Sequence, residues 1–251
     1  MQAPLPLYAM LLQEEERQVG QAHTVGLEGL DALLGERGLQ DAGITEICGP
    51  SGVGKTQICH KAMATVLDSP TGSVLYIDSG GSFSAPILSR LCDGPPDPYR
   101  TWIEPCEDIW GLLELLWDIY VQKTKGQGWA FPVNLIVIDS ITPLFNPFPP
   151  HRQGQGHALM SDLSTVLHGL QYHGCYILVV NGTTGRSAST AGPMDGTDPF
   201  ITCRPALGYQ WQAVCDTQIF LPSWGQAIVT RSRHLPSGFW STWDLTFPPG
   251  H

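Results

Sequence analysis

The segment 49–56 reads G-P-S-G-V-G-K-T and restricts the fold of this 251-residue chain more than any other stretch. It matches the pattern G-x-x-x-x-G-K-[ST] in full, and this pattern is found in loops that connect a buried strand to a helix. Ile44–Cys48 before the segment is a short apolar strand candidate, and 56–67 after it has helical composition. The sequence therefore predicts a strand–loop–helix unit of an α/β domain.

Apolar runs of strand length alternate with helical segments along the chain. Further strands are predicted over 74–77, 135–138 and 176–180, and helices over 26–34, 108–120 and 159–170. Each strand candidate is continuously apolar, which is typical of a parallel sheet buried on both faces. Shorter candidates separated by Pro or Gly turns follow over 217–221, 227–231 and 239–245. They indicate a C-terminal antiparallel extension of the sheet.

The chain is long enough for one substantial core, since 42% of its residues are apolar. We expect residues 1–23 to be a lead or linker and residues 24–251 to form one core domain. Segment 142–156 is rich in Pro and Gly, and segment 182–205 is rich in Gly, Ser and Thr. Both are predicted to be long linkers, which in a compact domain are usually functional or disordered.

The charge balance argues against a domain that binds nucleic acid by itself. The net charge is −10, whereas such domains carry a basic footprint. The seven cysteines show no C-x-x-C spacing and several lie in apolar runs. This favours reduced intracellular thiols over a disulfide framework or a zinc site. We expect neither a signal peptide nor a membrane span.

The residue types in segment 49–56, which we call the P-loop (Walker A), suit a nucleoside triphosphate. Glycines let the backbone wrap around phosphates with N–H groups pointing inward, and the following helix adds its positive dipole end. Lys55 is expected to reach the β- and γ-phosphates and Thr56 to ligate Mg²⁺. The predicted ATP-binding residues here are Gly49, Pro50, Ser51, Gly52, Val53, Gly54, Lys55, Thr56 and Gln57. The alternative is a glycine-rich turn without a ligand.

Polar residues follow other predicted strands, whose carboxyl ends face the ligand crevice in open α/β sheets. Asp139 ends the run L-I-V-I-D in the manner of a Walker B strand, and is predicted to hold Mg²⁺ through water. Asn181 ends a further strand and is a predicted nucleotide-binding residue. Asp78 suits a ligand role and a turn-capping role equally, and turn capping is also the alternative for Asp139 and Asn181.

Together these motifs resemble the RecA family of recombinases, specifically the eukaryotic branch and its paralogues. The matching stretches are T-E-I-C-G (45–49), G-K-T-Q-I-C-H (54–60), L-Y-I-D-S (75–79), V-I-D-S (137–140) and P-A-L-G (205–208), followed by Trp211. Segment 26–34 is similar to the G-x-x-x-L-D-x-L-L stretch before the P-loop in that branch. The resemblance covers about residues 24–247, and the D-type paralogues are the most similar. It implies a RecA-like P-loop NTPase core and a nuclear location.

Departures from the family pattern bear on catalysis. Active recombinases carry a Glu that activates the attacking water, and the matching position here is Gly80. The Arg that stacks on adenine is replaced by Ile87, and the Gln after the sensor Asn by Gly182. We therefore expect at most a weak ATPase and assign no catalytic residue. Because only about 20 residues precede the core, we also expect the family's N-terminal DNA-binding domain to be absent.

The resemblance implies two DNA-binding loops, over 142–156 and 182–204. The first contains Arg152, and the second contains Arg186 and Arg204. Three arginines predict weak binding of single-stranded DNA by one chain. Flexible loops without a DNA role are the alternative.

The first functional hypothesis is a regulatory subunit. A recombinase paralogue would bind ATP and assist filament assembly or remodelling on single-stranded DNA, in a heteromeric complex with other paralogues or the recombinase. The alternative is an active DNA-dependent ATPase that exchanges strands, which Gly80 and Gly182 disfavour. A P-loop small-molecule kinase ranks last, because such enzymes clamp the transferred phosphate with arginines and the linkers here contain few.

Overall fold

The computed structural model describes residues 24–35, 38–39, 43–92, 94–145, 153–185, 203–233 and 236–245. Its strands are β1 (Ile44–Cys48), β2 (Val74–Asp78), β3 (Thr101–Pro105), β4 (Leu135–Asp139), β5 (Tyr176–Asn181), β6 (Thr183–Gly185), β7 (Cys203–Pro205), β8 (Thr217–Phe220), β9 (Gln226–Ser232) and β10 (Trp240–Thr242). Its helices are α1 (Glu28–Leu34), α2 (Lys55–Asp68), α3 (Ala85–Leu91), α4 (Ile109–Lys125), α5 (Thr142–Phe145), α6 (Gln153–Tyr172) and α7 (Gly208–Val214).

Eight strands form one sheet, in the order β10-β9-β8-β1-β5-β4-β2-β3. The six strands from β8 to β3 in this order are parallel, and β9 and β10 extend the sheet antiparallel. Cys48, the last residue of β1, lies opposite Asn181 of β5 and Phe220 of β8. Asp78 lies opposite Asp139. The carboxyl ends of five strands therefore meet at one edge of the sheet.

The core lies on both faces of the sheet, because successive strand residues point to opposite sides. Val137 and Leu178 belong to the cluster that packs with α1 and α2. Their neighbours Ile136 and Ile177 belong to the cluster that packs with α4 and α6. Burial on both faces explains why β4 reads as a continuous apolar run.

The predicted fold class, a mostly parallel α/β sheet with a C-terminal antiparallel extension, is confirmed. One strand of that extension was assigned wrongly: β8 pairs parallel with β1, and only β9 and β10 are antiparallel. The edge strand β3 was not predicted. It is half-exposed along most of its length, so its sequence lacks the apolar run that marked the inner strands.

Parts of both predicted linkers form regular secondary structure. Helix α5 opens segment 142–156 and α6 already begins at Gln153. In segment 182–205 the two ends pair with each other, as β6 and β7. The predicted lead over 1–23 lies outside the described residues. Among the helices that the structure describes, none combines the length and apolarity that a membrane crossing requires.

Candidate nucleotide-binding site

The P-loop lies at the carboxyl edge of the sheet, between the end of β1 and the start of α2. Gly52 and Gly54 have φ values of 81° and 94°, in the left-handed region that favours glycine. No described side chain caps the first turn of α2. Its leading N–H groups are therefore available to an anion, and the helix dipole adds positive potential there.

Lys55 lies at the first position of α2, and its ammonium reaches back over the P-loop. Its Nζ donates to the carbonyl oxygens of Gly49 at 2.8 Å and Pro50 at 2.6 Å. Burial lowers the pKa of Lys55, and the nearby charge of Asp139 opposes that shift. The P-loop thus holds a partly desolvated cation where the phosphates of a nucleotide would lie.

Thr56 and Asp139 meet across the cleft although they are 83 residues apart in the chain. The Thr56 hydroxyl donates to Asp139 Oδ2 at 2.7 Å. The same carboxylate oxygen accepts a hydrogen bond from the Tyr76 hydroxyl, also at 2.7 Å. Tyr76 is fully buried in β2, so it orients the carboxylate from below. A hydroxyl and a carboxylate side by side are the oxygen ligands that Mg²⁺ prefers.

Lys55, Thr56 and Asp139 border a cleft of about 700 Å³. The predicted residues that line it are Gly49, Ser51, Gly52, Gly54, Lys55, Thr56, Gln57 and Asp139. Pro50 and Val53 do not line it. Pro50 contributes its carbonyl to Lys55, and Val53 is buried in the core. Most of the predicted loop residues therefore share one cleft with the predicted metal ligand.

Asn181 does not face the cleft, although the sequence predicts nucleotide contact. Its Nδ2 donates to Glu46 Oε1 at 2.6 Å, and its Oδ1 accepts from the Thr142 hydroxyl at 2.7 Å. That hydroxyl also accepts from the Gly182 N–H at 2.6 Å. Thr142 and Gly182 do line the cleft. Asn181 thus supports the cleft wall from behind.

Glu46 is the acceptor at the centre of this buried network. Gln218 Nε2 donates to its second oxygen at 2.5 Å, and Thr230 donates to Gln218 Oε1 at 2.8 Å. Burial raises the pKa of Glu46, and the hydrogen bonds from Gln218 and Asn181 oppose the shift. The network joins β5, β1, β8 and β9 below the cleft, and a lone glutamate in an apolar strand was its only sign in the sequence.

Asp78 caps a turn, which was one of its two predicted roles. Its carboxylate accepts from the N–H groups of Gly80 at 3.1 Å, Ser82 at 3.0 Å and Phe83 at 3.1 Å. Burial acts to raise the pKa of Asp78, but these backbone donors outweigh it and the pKa is lowered. Asp78 therefore shapes the loop after β2.

The three positions that depart from the family pattern lie around the same loop and cleft. Ile87 and Gly182 line the cleft. Gly80 is exposed, and a Cβ at this position would meet nothing within 4 Å. The space for a larger side chain at position 80 is therefore open.

The predicted DNA-contacting arginines are described only in part. Arg204 lies exposed on β7, which pairs with β6. Together with Arg231 it lines a separate pocket of about 320 Å³. Arg152 and Arg186 lie outside the described residues.

Sequence reasoning missed His60 on α2. Its Nδ1 lies 2.7 Å from the Thr56 carbonyl oxygen, and its Nε2 lies 3.1 Å from the Ser84 N–H. Nδ1 therefore carries the proton in a neutral ring, consistent with a pKa lowered by burial. The ring stacks on Phe83 with centroids 5.3 Å apart. His60 thus connects the helix after the P-loop to the loop after β2. In the sequence, the only indication of this role was its position among the apolar residues of α2.

Trp224, one of the eight tryptophans of the chain, also lies on the cleft wall. It follows β8, the strand beside β1. In the sequence, the only indication of this location was that Trp224 closely follows a strand. To place it at the cleft, one must also know that β8 pairs parallel with β1.

Comparisons with known proteins agree with the family resemblance. The Rad51 family model matches residues 16–94. The mouse protein called DNA repair protein RAD51 homolog 4 is 31% identical over 263 residues, which cover 96% of this chain and 75% of the relative. The cattle protein of the same name is 29% identical, over 93% of this chain and 74% of the relative.

A solved structure agrees with the described fold. The crystal structure of the RadB recombinase aligns with a TM-score of 0.63 and covers 87% of this chain and 93% of its own. The two sequences are 22% identical, so this likeness bears on the fold alone and shows it to be RecA-like.

Proposed function

Because the chain belongs to the Rad51 family of DNA repair proteins, we propose that it is an ATP-binding recombinase paralogue. It assists assembly or remodelling of the recombinase filament on single-stranded DNA, in homologous recombination and repair. It acts in a heteromeric complex with other paralogues or with the recombinase, in the nucleus. Residues 24–251 form its core domain.

The observation that carries the nucleotide part of this proposal is the contact between Thr56 and Asp139 beside the P-loop. The loop N–H groups and Lys55 bind the phosphates, and the two oxygen ligands hold Mg²⁺, with Asp139 acting through water. This donor set fits Mg²⁺·ATP, which supplies a charged γ-phosphate to the cleft. We assign no catalytic residue, because Gly80 offers no side chain to activate water.

ATP serves as a structural switch in this proposal. Thr142 and Pro143 of α5 line the cleft, as do Gly182 and Thr183, the first residue of β6. These residues begin the two segments that the sequence predicts as DNA-contacting loops. A ligand that contacts the cleft wall can therefore bias both loops. Arg152, Arg186 and Arg204 give one chain weak affinity for single-stranded DNA, and partners supply the rest.

The alternative is an active DNA-dependent ATPase that exchanges strands. The contact between Thr56 and Asp139 supports this alternative as well, because an active ATPase also needs the Mg²⁺ ligands. The purified chain distinguishes the two through ATP binding and hydrolysis, with and without single-stranded DNA. Lys55→Ala is the test variant. Lys61→Ala is its control, because it removes the same type of side chain from the same helix outside the cleft.

We expect Mg²⁺-dependent ATP binding that Lys55→Ala abolishes and Lys61→Ala preserves, with negligible turnover in all samples. DNA-stimulated turnover that Lys55→Ala removes would establish the alternative. If the folded wild-type chain does not bind ATP, the proposed nucleotide role is wrong.

A further inference from the structure

Tyr76 connects two residues of the cleft wall without lining the cleft itself. Its side chain is fully buried, whereas Asp139 and Ser82 both border the cleft. The Tyr76 hydroxyl donates to Asp139 Oδ2 at 2.7 Å and lies 3.2 Å from the Ser82 hydroxyl oxygen. Because a phenol has one proton and Tyr76 gives it to Asp139, Ser82 is the donor in the second bond. Tyr76 therefore joins the end of β4 to the loop after β2.

The sheet register and two aromatic neighbours fix the position of the Tyr76 ring. Tyr76 lies opposite Val137, and Asp139 follows Val137 by two residues on the same face of the sheet. The ring packs against His60 at a centroid distance of 5.7 Å and against Phe83 at 5.2 Å. The hydroxyl is therefore held beside the end of β4 by the sheet and by packing, and not by its bond to the carboxylate alone.

The carboxylate of Asp139 receives two hydrogen bonds at the same oxygen, and they differ in exposure to a ligand. Thr56 lines the cleft, and its hydroxyl, which donates to Oδ2, is assigned to Mg²⁺ in the proposed function. Tyr76 does not line the cleft, so a ligand there leaves its bond to Oδ2 in place. Among the residues that the structure describes, none donates to Oδ1 of Asp139, which leaves Oδ1 to accept from a metal-bound water.

We infer that Tyr76 is a positioning residue for metal binding: its hydroxyl holds the Asp139 carboxylate in the orientation that a hydrated Mg²⁺ requires. This inference rests on the proposed nucleotide binding and deepens it. Hydrogen-bond partners behind a metal-binding side chain orient it, and losing one costs about 10-fold to 100-fold in metal affinity. Removing the Tyr76 hydroxyl changes no charge and no residue that lines the cleft, so its effect falls on the Mg²⁺ dependence of ATP binding.

The test measures ATP affinity by calorimetry on the full chain, once with Mg²⁺ and once with EDTA in its place. The ratio of the two affinities reports what the metal contributes, whereas general damage to the site lowers both. The variants are Tyr76→Phe, Asp139→Asn and the two combined. Tyr120→Phe is the matched control, because Tyr120 lies on α4 and does not line the cleft. Thermal unfolding of each variant checks that it is folded.

We expect Tyr76→Phe to weaken the binding of Mg²⁺·ATP by about 10-fold, the lower end of the range, because Asp139 holds the metal through water. Its affinity for ATP in EDTA stays that of the wild type, since the P-loop contacts are unchanged. Asp139→Asn weakens Mg²⁺·ATP binding at least as much. Adding Tyr76→Phe to Asp139→Asn has no further effect, because Tyr76 acts through that carboxylate. Tyr120→Phe matches the wild type with Mg²⁺ and with EDTA.

Three results would overturn the inference while ATP binding by the wild type stands. If Tyr76→Phe leaves Mg²⁺·ATP affinity unchanged, Asp139 needs no hydroxyl to orient it. If the variant weakens ATP binding equally with Mg²⁺ and with EDTA, Tyr76 only supports the fold of the site. If the losses from Tyr76→Phe and Asp139→Asn add in the double variant, Tyr76 does not act through Asp139. A wild-type chain that binds ATP under neither condition would instead refute the proposed nucleotide role, and the inference with it.

Discussion

Gly80→Glu is the substitution that most directly tests why this site is expected to turn over little ATP. The position has open space around it, and its φ lies outside the left-handed region that would strain another residue. Its backbone N–H already donates to Asp78, and that bond does not depend on the side chain. The glutamate can therefore be added without rebuilding the loop, and the free energy of unfolding changes by less than about 1 kcal/mol.

The expected gain in rate follows from the role of a general base. A positioned proton acceptor contributes about 10²-fold to 10⁴-fold, which is a barrier lower by about 2.7–5.4 kcal/mol at 1.36 kcal/mol per decade. We expect the lower end, about 10²-fold, because Gly182 lacks a second side chain that active family members carry. The assay is single-turnover ATP hydrolysis by the purified chain at saturating Mg²⁺.

Two variants control this measurement. Gly80→Gln adds a side chain of the same size that cannot accept the proton, and it should stay at the wild-type rate. Gly80→Glu combined with Lys55→Ala should lose both ATP binding and the gained turnover. If Gly80→Glu binds ATP normally but hydrolyses it no faster, a missing carboxylate is not what limits catalysis. An equal gain in Gly80→Gln would also refute the reasoning.

Two further predictions concern stability. Asp78→Ala removes the acceptor of three backbone N–H groups and should lower the free energy of unfolding by about 1–2 kcal/mol at pH 7. Because the folded pKa of Asp78 lies below its usual value of 3.8, this contribution is present above that pH and is lost as the pH falls through the folded pKa. Glu46→Ala leaves the amide donors of Asn181 and Gln218 buried without an acceptor, at about 1–3 kcal/mol each. It should lower the free energy of unfolding by about 2–6 kcal/mol, and urea denaturation measures both effects.

Matched variants separate these effects from general loss of side chains. Asp78→Asn keeps an oxygen acceptor and removes the charge, so its stability relative to Asp78→Ala should be nearly independent of pH. Glu104→Ala removes a glutamate from the half-exposed edge strand β3 and should cost less than about 0.5 kcal/mol. If Glu46→Ala costs no more than Glu104→Ala, the buried network does not hold the strands together. If the Asp78→Ala deficit is the same at pH 3 and pH 7, its carboxylate is not the stabilising group.

The sequence is most informative about features that depend on residues close together in the chain. The P-loop needs glycines and a lysine at fixed spacing along the chain, and the inner strands need uninterrupted apolar runs. Asp139 could be predicted because an acid directly after a buried strand reaches the carboxyl edge of the sheet in any fold of this class. The structure brings it to Thr56 at 2.7 Å.

Other features depend on which segments become neighbours in space. Asn181 ends a strand as predicted, but its amide is turned toward Glu46 and Thr142, and no local pattern signals that choice. Strand β3 lies at an edge, so its half-exposed residues carry little periodic signal. Strand β8 has the composition of an antiparallel hairpin strand, yet it pairs parallel with β1.

The sequence by itself determined that the chain carries a P-loop motif in a parallel α/β sheet, because burial and loop geometry are encoded by residues close together in the chain. Only the tertiary structure decided what surrounds that loop. Glu46 and Gln218 are 172 residues apart, and Trp224 reaches Gly54 only because β8 lies beside β1. Contacts of this kind arise from strand pairing and core packing. These bring together distant segments, and the local sequence of one segment does not indicate which other segment it will contact.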